Sequence, residues 1–429
     1  MNYEEAMSYI RNYHSNGISL GLERMRELCT RLNHPERKLR FIHIAGTNGK
    51  GSTAAYLSSI LGVNGYLVGR YVSPVVFQYE ECIQFEDSRG ISYIDRSLLS
   101  EVVTEVAFAV ADMEKDGWET PTIFEVETAM AFLAFVKREC QVVVLEVGLG
   151  GREDATNVIE HVIASVITPI SKDHMGILGD TLQAIAAEKA GIIREGVPVI
   201  SVQEEPEVIH VLTSVCEKKK SNLIMLRRED MTCIQADLHG CLFSYQGENF
   251  RTQMLGTYQM ENACLAIETC RRLGGEFSFD VVQLMLGIRE ARWRGRFEVV
   301  SEEPFILVDG AHNTSGARAL RTSLETFLPE KKLHGVMGVF RDKEYESMVA
   351  ILQPLFDDVV TVPAPSERGL EAEILAKVWQ DAGCKHVSVE ESVPAGLKRA
   401  VQNCQKGEAV VIFGSLSLLK DVNLKGKKV

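Results

Sequence analysis

Gly46-Thr47-Asn48-Gly49-Lys50-Gly51-Ser52 decides the reading of this chain. It follows the apolar run 39–45 (LRFIHIA), which reads as a buried parallel strand, and it precedes a helical run from Thr53 to Leu61. Strand, glycine-rich turn and helix in that order aim backbone N–H groups and a helix N-terminus at a phosphate. The glycines let the backbone approach an anion and take conformations closed to other residues. Lys50 supplies a mobile positive charge for the outer phosphates, and Ser52 or Thr53 offers a hydroxyl to a metal. The strict phosphate-loop pattern puts Ser or Thr directly after the Lys, whereas here Gly51 intervenes. A plain Gly/Asn turn is the alternative; strand, Lys, hydroxyl and helix together argue against it.

Outward from this turn, residues 1–38 read as helices (3–13 and 20–32). The runs 66–72, 141–147, 162–168 and 197–202 read as strands; 141–147 (QVVVLEV) is continuously apolar, as in a parallel sheet buried on both faces. Residues 75–96 form a loop or irregular hairpin. Apolar spacing at Leu98, Val102, Val106, Ala109 and Met113 predicts a helix over 97–115, and further helices fall at 124–138, 181–191, 207–220, 260–273 and 278–290. Residues 223–255 alternate like antiparallel strands. The stretch 291–296 (ARWRGR) breaks the rhythm and marks a boundary between domains 1–293 and 297–429. Beyond it, strands at 305–308, 333–339, 358–362, 386–389 and 408–413 alternate with helices at 314–327, 344–353, 370–382 and 393–403, a smaller doubly wound α/β domain. It lacks a G-x-G-x-x-G after its first strand, so no dinucleotide site is expected there.

With 429 residues, two or three domains are expected. The chain is 45% apolar and 24% charged, as in soluble globular proteins. No apolar run reaches about 18 residues and the N-terminus has no secretory pattern, so a cytoplasmic protein is expected. The ten cysteines form no C-x-x-C, which speaks for free thiols. A net charge of −13 argues against non-specific nucleic-acid binding and means that an anionic substrate needs a local basic pocket.

Four further constellations carry chemistry. Glu146 ends the strand 141–147, just before Gly148-Leu149-Gly150-Gly151, and a carboxylate at the carboxyl edge of a parallel sheet can hold Mg²⁺. His174 follows the strand 162–168; alone it reads as a structural histidine, but with Lys50 and Glu146 it makes three polar strand ends on one edge. Lys189 lies on an otherwise apolar helix (Leu182, Ile185, Ile192, Ile193) and reads as a snorkelling lysine. Asp309-Gly310-Ala311-His312-Asn313 also follows a strand. Asp309 could accept from ribose hydroxyls and His312 touch a base or phosphate, or the segment could be an N-capping turn for helix 314–327.

GTNGKGS (46–52), LEVGLGGREDATN (145–157), DH (173–174), EKAG (188–191), QMENA (259–263), RGRFE (294–298), DGAHN (309–313), DK (342–343) and GSL (414–416) together resemble the folylpolyglutamate synthase/dihydrofolate synthase family of Mur-ligase-like, ATP-dependent amide ligases. The resemblance spans nearly the whole chain. It implies an α/β fold: a P-loop-containing Mur-ligase-like central domain with a mostly parallel sheet, plus the smaller C-terminal domain. It implies ATP phosphates on Gly46 to Thr53, and Asn262, Arg296, Asp309 and His312 near the nucleotide. It implies two Mg²⁺ sites, with Ser73, Glu146 and His174 as ligands and Lys189, typically carbamylated in the family, on the second ion; a monovalent cation is a further expectation. Lys50, His174 and Lys189 become the expected catalytic residues, in a monomer.

The implied reaction follows from carboxylate chemistry. Oxide is a poor leaving group, so ATP first phosphorylates the carboxylate of dihydropteroate or a reduced folate. Lys50 and Mg²⁺ stabilise the transferring charge, and the amine of L-glutamate then displaces phosphate. The sequence departs from the family where S-P-H-L and E-R-I are usual: Val75 and Cys82 stand in place of His and Arg. The substrate pocket is therefore expected to lean on Thr122, Phe124 and Asp154, with Phe124 stacking an aromatic ring or, alternatively, belonging to the core.

Overall fold

The computed structural model describes residues 1–14, 17, 19–202, 204–275 and 277–422. Residues 423–429, the end of the expected second domain, lie outside the described residues.

Three sheets organise the described residues. The first contains eight strands: β1 (Phe41–Ala45), β2 (Val68–Tyr71), β3 (Ile83–Asp87), β4 (Gly90–Tyr93), β5 (Val142–Glu146), β6 (Val162–Ile167), β7 (Val199–Val202) and β8 (Leu223–Leu226). Their order is β4-β3-β2-β5-β1-β6-β7-β8, parallel from β2 to β8, with the β3–β4 hairpin antiparallel at one edge. The hairpin accounts for the loop expected over 75–96. The expectation of antiparallel pairing throughout 223–255 is corrected at its start. β8 pairs in parallel with β7, because the helix Pro206–Lys218 carries the chain back across the sheet. Only β9 (Met231–Asp237), β10 (Gly240–Tyr245) and β11 (Glu248–Thr252) form the separate antiparallel sheet.

The second large sheet has β12 (Glu298–Glu302), β13 (Phe305–Val308), β14 (Leu333–Met337), β15 (Phe356–Thr361), β16 (His386–Val389) and β17 (Ala409–Phe413), ordered β12-β13-β17-β14-β15-β16. The five expected strands are present and parallel. β12 is an additional antiparallel edge strand; its alternation is weak because Glu298 to Ser301 are only half-buried.

The helix Lys50–Val63 is buried along its whole length from Gly51 to Gly62, because it lies between the first sheet and the helices Gln259–Arg272 and Val281–Glu290. An all-round apolar helix is the sequence signature of that position. The linker is packed as well: Ala291 and Phe297 are fully buried, Phe297 against Phe327, and the Trp293 ring lies against Gly51.

Candidate functional site

The carboxyl ends of four adjacent strands, β2, β5, β1 and β6, converge on one cavity of about 630 Å³. Gly46 to Ser52 follow β1, Ser73 follows β2, Glu146 ends β5, and Asp173 and His174 follow β6. The opposite wall comes from the second sheet through Asp309 to His312 after β13, Phe340 and Lys343 after β14, and Ser415 to Ser417 after β17. Ligand sites of open α/β sheets occur at this edge.

The helix Lys50–Val63 begins directly after Gly49, whose φ of 91° is left-handed. A Cβ on Gly49 would sit 2.4 Å from Asn262 Oδ1, so glycine is required both by conformation and by space. Lys50 Nζ donates to the carbonyls of Gly46 and Thr47 at 3.3 Å each and lies 3.8 Å from Glu146 Oε1. Glu146 is 5% exposed. Burial pushes its carboxyl up to about 7, against the pull of Lys50, Arg296 and the Ser73 N–H.

Lys189 does not snorkel, correcting the expectation from its helix. It is 5% exposed, and its Nζ donates to Gly46 O at 2.8 Å, directly beneath the phosphate turn. Burial, and then the Lys50 charge, push its amine down to about 7. An amine placed so is partly neutral at physiological pH and nucleophilic. His174 keeps 37% of its side chain exposed; partial desolvation pushes it down, with Asp173 opposing and Lys343, His312 and Lys189 adding repulsion, which favours the neutral ring that can ligate a metal.

Asp173 links the two walls. It accepts from Lys343 Nζ at 2.6 Å and Asn313 Nδ2 at 3.0 Å, and lies 3.6 Å from His312 Nε2. Asn48 and Asn313 also exchange side-chain amide hydrogen bonds at 3.2 and 3.3 Å. Asn313 does cap the helix Thr314–Phe327, accepting from Gly316 N, so the capping alternative is correct for that residue. Asp309 is already satisfied by Tyr258 Oη, Phe297 N and Ala311 N; it lines the cavity and orders the turn. His312 Nδ1 donates to Gly310 O at 2.8 Å. Arg296 reaches the cavity with a buried Nη1 lacking a hydrogen-bond partner among the described residues, and a Cβ on Gly310 would strike it.

Thr122, Phe124 and Asp154 are not brought into this cavity. Thr122 caps the helix Ile123–Lys137 in a reciprocal capping box with Glu125. Asp154, 3% exposed, accepts from Leu149 N, Thr156 N and Thr156 Oγ1, so the buried carboxylate serves the turn 149–156. The half-buried Phe124 ring packs against Gly148, where a Cβ would sit 2.4 Å away, and tilts against Tyr71. The two departures from the family pattern separate: Val75 lines the cavity, whereas Cys82 is core, its thiol pushed well up by burial.

Sequence reasoning passed over Lys343 and Tyr258 as individual residues. The pair Asp342-Lys343 was visible as a motif without a role; Tyr258 carries no local signal, since its task depends on Asp309, 51 residues away.

The residues present fit a magnesium nucleotide. The helix N-terminus, Lys50 and the unpartnered Arg296 Nη1 suit phosphate oxygens. The buried hydroxyl of Thr53 also lacks a partner among the described residues. Glu146, Ser73 and His174 line the same cavity and offer oxygen and nitrogen donors to it.

Fold and site define an α/β enzyme of the phosphate-loop type with its nucleotide cavity between two sheets. Residues 44–270 match the Mur ligase middle domain, and residues 295–416 match the Mur ligase glutamate ligase domain. The chain is 33% identical to the dihydrofolate synthase/folylpolyglutamate synthase of Bacillus subtilis over 99% of both chains. It is 34% identical to that of Escherichia coli over 97% of this chain and 93% of the relative. Among solved structures, Mycobacterium tuberculosis folylpolyglutamate synthase complexed with ADP matches with a TM-score of 0.87 and 28% identity, over 97% of this chain and 96% of that one. Escherichia coli FolC in complex with DHPP and ADP matches with a TM-score of 0.85 and 30% identity, over 98% and 97%. The chain belongs to the Mur ligases, in the folylpolyglutamate synthase/dihydrofolate synthase family.

Proposed function

We propose that this protein joins L-glutamate to the carboxylate of a pteroate-type substrate, dihydropteroate, tetrahydrofolate or both, with ATP converted to ADP and phosphate. The observation that carries the reading is one cavity lined by Lys50, Glu146, His174 and Lys189 together with Arg296 of the linker and His312 after β13. Relatives named dihydrofolate synthase/folylpolyglutamate synthase, and the Escherichia coli structure holding ADP and DHPP, support the substrate class.

In this reading the turn 46–53 holds the phosphates and Lys50 balances charge on the transferring group. Asn262 and Arg296 hold the nucleotide, with Asp309 and His312 shaping its pocket. Ser73, Glu146 and His174 would hold Mg²⁺, which would supply charge neutralisation at the phosphates. The neutral amine of Lys189 would add carbon dioxide and lose a proton, giving a carbamate whose oxygens would hold a second ion. Bodies 1–293 and 297–429 close over the nucleotide through the Asp173 contacts. Phe124 buttresses Gly148 from behind, and the pteridine enters past Val75. The chain acts as a monomer in the cytoplasm; no helix among the described residues is long and apolar enough to cross a membrane. The test is glutamate-dependent ADP release with dihydropteroate and tetrahydrofolate supplied separately. ADP release unchanged by glutamate with both substrates refutes the ligase reading.

A further inference from the structure

We infer that His334, Cys404 and Glu408 form a binding site for a borderline-soft divalent cation of the Zn²⁺ class, at the end of the C-terminal sheet opposite the nucleotide cavity. The three residues offer ligand atoms that all lie within 4.8 Å of one another. His334 is the second residue of β14, and Glu408 immediately precedes β17, its parallel neighbour. Cys404 is the C-cap of the helix Val393–Asn403 and is half-exposed, giving an ion a way in. The site thus lies at the amino ends of strands whose carboxyl ends carry the cavity wall. It is separated from that wall by the length of a five-residue strand, about 16 Å.

The surroundings resemble those of a metal ligand. His334 is 1% exposed, and its Nδ1 meets Asp358 Oδ2 at 2.7 Å while its Nε2 points at Glu408 Oε2, 2.8 Å away. A carboxylate on one ring nitrogen fixes the tautomer and aims the other nitrogen, as it does for metal-bound histidines. Asp358 faces His334 directly across the β14–β15 ladder, so the fold sets this alignment. Glu408 Oε2 is steadied by the backbone N–H of Gln405 at 2.7 Å. Without metal, the proton on Nε2 bridges to Glu408. A bound cation takes the place of that proton and of the Cys404 thiol proton. One imidazole, one thiolate and one carboxylate suit Zn²⁺ and Co²⁺ and suit Mg²⁺ poorly.

Co²⁺ reports such a site by a thiolate-to-metal charge-transfer band in the near ultraviolet. Added to the full chain with Mg²⁺ in excess to occupy the nucleotide site, Co²⁺ is expected to give this band at about one equivalent, and Zn²⁺ to abolish it by displacement. Cys404→Ser and Cys404→Ala should remove the band while leaving nucleotide-induced stabilisation unchanged. Asp358→Asn should weaken Co²⁺ binding about 10–100-fold without removing the band at saturation. Absence of the band in the unaltered protein overturns the inference. So does a band that survives both Cys404 variants, which puts the ion on another cysteine, or a Co²⁺ affinity indifferent to Asp358→Asn.

Discussion

Lys343 Nζ donates to Asp173 Oδ1 at 2.6 Å and so ties the loop after β14 of one sheet to the end of β6 of the other. The two side chains are 7% and 9% exposed. Burial works against the ionised Asp173, and its neighbours His312 and Lys343 outweigh it, holding the carboxyl well below the usual carboxylate range. A carboxyl with a depressed folded-state pKa stabilises the fold fully above its unfolded value of about 3.9 and loses that contribution as pH falls through the folded one. Asp173→Asn should therefore destabilise the protein at neutral pH, by about 1–3 kcal/mol, because the buried Lys343 keeps only the Asp342 carboxylate at 3.9 Å. It should also flatten the acid limb of stability below about pH 4. Denaturant unfolding of both proteins across that range checks this. An unchanged acid limb places the acid-sensitive group elsewhere.

Glu146 is held up to about 7, so it is substantially protonated just below neutrality. A metal ligand must be ionised. Apparent Mg²⁺ affinity should therefore rise with pH through about 7 and level off above it. Glu146→Gln should weaken Mg²⁺ activation and reduce this dependence to whatever Lys189, also held near 7, contributes. Activity titrated with Mg²⁺ at several pH values decides; a variant with the wild-type curves places the ion elsewhere.

Lys50→Ala should lower turnover about 10²–10³-fold, the scale of a lost donor to developing charge, with melting nearly unchanged. Gly49→Ala should act differently. Its left-handed φ and the closeness of Asn262 make a Cβ distort the turn itself, so nucleotide affinity should fall together with stability. ADP binding by calorimetry and thermal melting separate the two. Tight ADP binding by Gly49→Ala contradicts the role given to the turn.

The fold and half of the site were legible because both depend on short-range pattern. An apolar strand ending in Glu146, or a glycine turn opening a helix at Lys50, places its polar residue on the sheet edge wherever the sheet lies. Lys189 was misread because apolar spacing around a lysine looks the same whether the amine reaches solvent or, as here, the carbonyl of Gly46. Asp173, Asn313 and Lys343 meet across 140 to 170 residues, a distance over which periodicity carries no information. β12 was hidden by its half-buried faces.

The two departures from the family pattern should behave oppositely. Cys82 sits in the core, so Cys82→Arg buries a guanidinium and should destabilise severely, by several kcal/mol. Val75 lines the cavity, so Val75→His should leave melting near wild type and change KM for the pteroate substrate without changing that for ATP. Steady-state kinetics with each substrate varied in turn decide; equal changes in both constants argue that Val75 does not face the pteroate substrate.

The central claim is that this cavity activates a carboxylate by phosphoryl transfer before the amine attacks. Dihydropteroate labelled with heavy oxygen in its carboxylate tests it most directly, with ATP, Mg²⁺ and glutamate present and the released phosphate weighed by mass spectrometry. The account predicts one heavy oxygen in each phosphate formed and one glutamyl residue in each pteroate product. Phosphate free of label, alongside ADP release that does not require glutamate, would contradict it.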